Sequence, residues 1–287
     1  MHQSIAHGDD MTTTNSSRST TLLLGGTGKT GRRVANRLGM RGLTCRIASR
    51  TGTPPFDWHR PETWTNELLR DVAAVYIAYA PDLAVPDAGE QIARFCEHAV
   101  ARGVRRIVLL SGRGEPQVVP AEQAVARCGA EYTILRAAFM CQNFSEGFLA
   151  DGVLAGEVQF PADQVAEPFV DADDVAEVAV AELVEDGHAG VTYDLTGPRL
   201  LTFAQATAEL AVAAARPIAY RSVSWTAYAE MLGAFLPADQ VGFFVELFQH
   251  VLRGHNAHVS GDVERVLGRP ARDFLAFACE AASRWAA

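Results

Sequence analysis

The chain has 287 residues, 48% hydrophobic and 21% charged, with a formal net charge of −9. These proportions suit a water-soluble fold of one large domain, or one domain with a small lobe. The acidic balance argues against a nucleic-acid-binding surface, which is normally basic, and no apolar stretch is long enough to span a bilayer.

Residues 1–19 are polar and rich in Thr, Ser and Asn, without the apolar core of a signal peptide, so a disordered leader is expected there. Leu22–Leu24 reads as the end of a buried strand. Lys29–Arg41 reads as a helix with Val34, Ala35 and Leu38 on one face, and Thr44–Ser49 as a second strand. Pro61–Leu69 is predicted as a short helix with proline in its first turn. Strand, helix, strand, helix and strand then follow at Val72–Ala78, Gly89–Arg102, Val104–Leu110, Ala121–Cys128 and Tyr132–Leu135. Strands apolar on both faces, separated by helices, imply a parallel sheet covered on each side. After Arg136 the rhythm changes. Ala137–Gly147 reads as a loop or broken helix, and Asp173–Val184 as a helix capped by Asp171 or Asp173. Val191–Leu195 is a further strand. Phe203–Ala215, Trp225–Leu236, Ala238–Leu252 and Arg272–Trp285 read as helices of a C-terminal lobe. The predicted class is α/β: a Rossmann-type doubly wound parallel sheet with a small helix-rich lobe. Residues 20–150 would form the dinucleotide-binding core. Residues 151–287 would supply the remaining core elements and the lobe, interleaved in a single unit.

The segment Leu24-Gly25-Gly26-Thr27-Gly28-Lys29-Thr30-Gly31 carries the chemistry. A dinucleotide pyrophosphate needs one glycine for the tight turn, one for backbone approach to the phosphates and one for close helix–strand packing. The helix N-terminus that follows offers free N–H donors and the positive end of a dipole. A Walker A reading of Gly28-Lys29-Thr30 would need a glycine at Leu23, inside the strand, and no clear Walker B acid is seen. The end of the second strand reads Ser49-Arg50, with Arg46 nearby and no acid. An acid there would select a ribose hydroxyl, whereas Arg50 would attract a 2′-phosphate, so NADP(H) is expected over NAD(H). Tyr79-Ala80-Pro81 and Ser111-Gly112-Arg113 each follow a strand, and ligands of such sheets sit beyond the strands' carboxyl ends.

These marks, with Leu135–Phe144, Pro168–Ala176 and Tyr193–Pro198, resemble the NmrA-like branch of the atypical short-chain dehydrogenase/reductases. The resemblance covers roughly residues 20–280 and is close to quinone-reductase and azoreductase-like members. It implies that Lys29 reaches a phosphate, that Asp57 lies near the adenine, and that Ala137, Ala138 and Phe139 lie near the nicotinamide.

Ordinary members of the superfamily use a tyrosine with a lysine four residues later, but Lys29 is the only lysine here. Tyr132 and Arg136, the nearest imitation, fall in a strand and read as structural. The expected function is NADPH-dependent reduction of a small flat apolar acceptor such as a quinone, enone, azo compound or aromatic ketone of natural-product tailoring. Catalysis would rest mainly on proximity to the nicotinamide. The acceptor would stack on Phe139, Met140, Phe144 or Phe148 beside Asn143, with Tyr79 or Ser111 donating a hydrogen bond. The alternative is a non-catalytic NADP(H) sensor acting through a protein partner. The odd set of five cysteines, with no Cys-x-x-Cys pair, argues against a disulfide framework and fits a reducing cytoplasm. No metal site, nucleic acid or membrane partner is expected: His250, His255 and His258 lack convincing zinc spacing. A homodimer is compatible with the sequence.

Overall fold

The apolar run Leu22–Leu24 and most of Val72–Ile77 are buried in the computed structural model, which describes residues 19–285, while the second strand is partly exposed, with Ile47 44% accessible. The expected leader, apart from Ser19, lies outside the described residues. In chain order the first half reads β1 (Thr20–Leu24), α1 (Lys29–Met40), β2 (Cys45–Ala48), β3 (Val72–Ile77), α2 (Ala88–Val100), β4 (Arg106–Gly112), α3 (Val119–Arg127) and β5 (Glu131–Ala137). Two short helices follow, α4 (Asn143–Glu146) and α5 (Ala150–Ala155), then β6 (Glu157–Phe160), β7 (Ala166–Glu167) and α6 (Ala172–Val184). The chain continues through β8 (Val191–Leu195), β9 (Leu201–Thr202), α7 (Phe203–Ala213), β10 (Ala219–Ser222), α8 (Trp225–Gly233), α9 (Ala238–Val251), α10 (Asp262–Leu267) and α11 (Phe274–Ala281).

Six strands form one parallel sheet in the order β2-β1-β3-β4-β5-β8. The order reverses between β1 and β3, and that switch point opens the crevice where doubly wound sheets bind ligands. One face is packed by α2, α3, the Phe56–Leu69 segment and the end of α9. The other is packed by α1, α6 and α10. Because β8 and α6 return to the sheet after residue 150, the second half completes the core as well as building the lobe. The lobe has its own aromatic core, with Phe144, Phe160, Phe169, Phe203, Phe274 and Trp285 buried together. Among the described residues no helix is long and apolar enough to cross a membrane.

Several elements depart from expectation. The helix predicted over Pro61–Leu69 is only a 3₁₀ turn at Pro61–Thr63 followed by turns. The Thr63 hydroxyl donates to the Arg60 carbonyl, and the Trp64 indole N–H donates to the Asp57 carbonyl at 3.0 Å. These bonds offer the backbone an alternative to a helical ladder, and they seat Trp64 against Phe56, Trp58 and Phe95. The last helix starts at Phe274, because Asp273 caps it by accepting from the Leu275 N–H. Asp171, rather than Asp173, caps α6. The short strands β6, β7, β9 and β10 were not expected; each pairs only with a partner remote in sequence.

Candidate active site

The glycine loop between β1 and α1 is held by backbone meeting backbone. Gly25 has φ +78°, and a Cβ on it would strike the Ala78 carbonyl oxygen at the end of β3. A Cβ on Gly31 would strike the Gly25 carbonyl and lie 2.6 Å from the Gly26 Cα. Gly28 caps α1 and is exposed; its nearest obstacle to a Cβ is the Gly25 oxygen at 3.2 Å. Gly25 and Gly31 therefore serve the fold, while Gly28 keeps the approach to the helix open. The first turn of α1 carries no side-chain cap and no acid, so its leading N–H groups are left for an external anion. Thr27 is exposed beside them. Thr30 is buried, and its hydroxyl accepts from the Tyr76 hydroxyl at 2.9 Å.

Positive charge is concentrated at this helix end. The Lys29 ammonium donates to the Asn143 amide oxygen at 2.6 Å. Burial first, and Arg32 and Arg33 second, pull its pKa down. A bound phosphate would relieve that crowding, and with the uncapped helix it makes the loop fit a dinucleotide. Within β2, Ile47 packs where Gly26 lacks a side chain, and the Ser49-Arg50 turn follows directly after the strand. Arg50 is exposed there. Arg46, in contrast, donates to the Leu68 and Arg70 carbonyls, so it holds a loop. Asp57 accepts from the His59 N–H at 2.9 Å, which makes it a turn aspartate in this structure.

Past the carboxyl ends of β3, β4 and β5 lies a cavity of about 560 Å³, a size suited to a small-molecule ligand. Lys29 and Asn143 line the end nearest the glycine loop. Tyr79, Pro81, Ser111, Gly112 and Ala137–Met140 form the sheet side. Tyr228, Phe244 and Phe248, from α8 and α9, close over the opposite side, and Phe148 packs tilted against Phe248 at 5.2 Å. Ala80, expected beside Pro81, is exposed.

Three expectations about the cavity need correction. Phe144 is buried and does not line it; its ring packs against Phe169 and Phe274 at 5.7 and 5.5 Å. The Tyr79 hydroxyl donates to the Gln91 side chain at 2.7 Å, and burial, with Asp87 and Asp57, pushes its pKa up to about 12. The Ser111 hydroxyl donates to Glu122 at 2.7 Å. Both hydroxyls line the cavity, but their hydrogens are directed elsewhere in the protein. The histidines make no metal site. His250 and His255 both address the Gly114 carbonyl, and His258 meets Arg113. Among the described residues no three His, Cys, Asp or Glu side chains are grouped to hold a metal ion.

Sequence reasoning missed the carboxyls. Asp82, Glu115 and Glu167 all line the cavity. Burial pushes Glu167 up to about 7, with Arg113 opposing, and one of its oxygens has no hydrogen-bond partner. Glu115 is pushed up to about 8 by burial, then by Asp82 and Glu122. The signal was available for Glu115, which follows β4 by three residues on the ligand-binding edge, but it spans no recognisable motif.

No family model matches the chain. It is 31% identical over 277 residues to the uncharacterized oxidoreductase YesF of Bacillus subtilis, covering 92% of this chain and 96% of that protein. It is 31% identical over 205 residues to the NAD(P)H azoreductase of Xenophilus azovorans, covering 68% and 71%. Its fold matches the NADPH complex of the quinone oxidoreductase QOR2 of Escherichia coli with a TM-score of 0.72 at 20% identity, covering 91% and 99%. The glycine loop at the β1/β3 switch point and an oxidoreductase relative matched over 96% of its length lead to one assignment: the chain belongs to the NmrA-like branch of the atypical short-chain dehydrogenase/reductases, a family of oxidoreductases.

Proposed function

We infer that the protein is an NADPH-dependent reductase of a small, flat, largely apolar acceptor such as a quinone, an enone or an azo compound. The observation that carries this reading is the aromatic-walled cavity that opens directly from the uncapped end of α1 across the carboxyl ends of β3–β5. A dinucleotide held at the glycine loop would extend its nicotinamide toward Ala137–Phe139. Lys29 and the α1 N–H groups would hold the phosphates, and Arg50 would hold the 2′-phosphate. Bound NADPH supplies the hydride. The chain's task is to stack the acceptor against it and exclude water, which Phe139, Phe148, Tyr228 and Phe248 are placed to do. The relatives named as an azoreductase and a quinone oxidoreductase agree with an acceptor of this kind. A cavity of substrate size favours catalysis over the sensor reading, which would suit a filled pocket.

The test is oxidation of NADPH, followed by absorbance, with a panel of quinones, azo dyes and aromatic ketones, and NADH in parallel. Turnover with NADPH preferred is expected. Arg50→Asp should reduce the NADPH/NADH preference at least tenfold, and an unchanged ratio would remove Arg50 from the cofactor site. Tight NADPH binding with no turnover across the panel would favour the sensor.

A further inference from the structure

Reduction of a neutral acceptor needs a proton as well as a hydride, and neither Tyr79 nor Ser111 directs its hydrogen into the cavity. Glu115 does occupy the wall. Its carboxyl lies over the Cα of Gly112, where a Cβ would collide with it. Glu115 and Gly112 also line a second, more open cleft, together with Arg136, Arg253, His250 and His255. One carboxyl thus lines both the aromatic-walled cavity and a more open cleft that holds two histidines. The charged groups that line these spaces with it are Lys29, Asp82, Arg113 and Glu167 in the cavity and Glu122, Arg136, His250, Arg253 and His255 in the cleft; of these, Asp82 and Glu122 act on it most strongly. Arg136 is paired with Glu122 at 2.6 Å instead of with Glu115.

We propose that Glu115 is the proton donor of the reduction, reloaded from solvent through the histidine-lined cleft beside it. This rests on the reductase reading above. When a quinone takes the hydride and its two electrons, the resulting hydroquinone oxyanion takes the Glu115 proton. The carboxylate left behind is reprotonated from water across the cleft. At neutral pH Glu115 holds its proton, because burial beside Asp82 and Glu122 disfavours a further negative charge. Glu167 is the competing carboxyl, but it is only 1% exposed and does not line the open cleft, so it has no such path to solvent.

The experiment compares two acceptors in the wild type, E115Q and E167Q: a neutral 1,4-quinone, and the N-methylacridinium cation, which accepts hydride at carbon and needs no proton. For E115Q, kcat with the quinone should fall about 100-fold, the lower end of what a positioned acid contributes. The acridinium rate and NADPH affinity should stay within about twofold. Quinone reduction by the wild type should decline as pH rises through about 8, where Glu115 loses its proton, and E115Q should lack that decline. Infrared spectra of the free protein at neutral pH should show a protonated carboxyl band that is reduced in E115Q, beside what Glu167 and Glu182 contribute. If E115Q slows both acceptors equally or neither, if E167Q alone separates them, or if the band is unchanged, the assignment is overturned while the reductase reading stands. If the wild type reduces neither acceptor, the reductase reading falls and takes this assignment with it.

Discussion

In the glycine loop the fit is made by main chain against main chain, with the Gly25 carbonyl lying where a Gly31 side chain would be and the Ala78 carbonyl lying where a Gly25 side chain would be. In the lobe beyond residue 143 it is made by interlocking aromatic rings, with Phe144 edge-on to Phe169 and Phe274, and Phe160 edge-on to Tyr228. The first kind of fit admits one residue type at each position. The second admits many apolar sequences of similar volume. This explains why the loop declares its ligand while the lobe, which shapes the acceptor cavity, does not declare its acceptor.

Removing a ring from the lobe tests the side-chain half of that contrast most strongly. Phe144→Ala should destabilise the protein by about 3–5 kcal/mol, the usual cost of emptying a fully buried aromatic site, measured by denaturant unfolding. Were Phe144 a cavity wall instead, the variant would lose acceptor affinity with little loss of stability. Gly31→Ala tests the backbone half. The added methyl has no room between α1 and the loop, so a cost of about 1–3 kcal/mol is expected. NADPH affinity should fall more than tenfold in calorimetry, because the N–H groups that meet the phosphates are displaced. Affinity kept intact would show that the loop can yield. The smallest effect belongs to the junction of the two regions. Asp171 caps α6 and also accepts from the Gln142 amide at 2.7 Å. Asp171→Ala should cost about 1–2 kcal/mol through the lost cap and the orphaned amide. The melting temperature should drop while the NADPH/NADH preference stays unchanged.

The parts of the fold legible in the sequence were those governed by neighbours along the chain. Leu22–Leu24 alternates with nothing polar because both faces of β1 are covered, and α1 shows its buried stripe at Val34 and Leu38. The Pro61–Leu69 helix failed because Thr63 and Trp64 bond back to the loop before them, a preference that periodicity does not reveal. Phe144 was misplaced for a related reason. An aromatic after the last core strand suits either a cavity wall or a core, and Phe169, Phe203 and Phe274, distant in sequence, decide which.

By itself the sequence determined the nucleotide-binding half of this protein. Gly25, Gly28 and Gly31 carry the loop pattern, the excluded tyrosine–lysine chemistry follows from a single lysine, and the Ser49-Arg50 turn follows from its strand. Only the tertiary structure decided the reacting end. The hydroxyls of Tyr79 and Ser111 are claimed by Gln91 and Glu122. Asp82, Glu115 and Glu167 meet from three separate segments, and α8 and α9 return from nearly a hundred residues away to roof the cavity. Hydrogen-bond partners and burial are set by which segments meet in space, and pattern along the chain carries no record of that meeting.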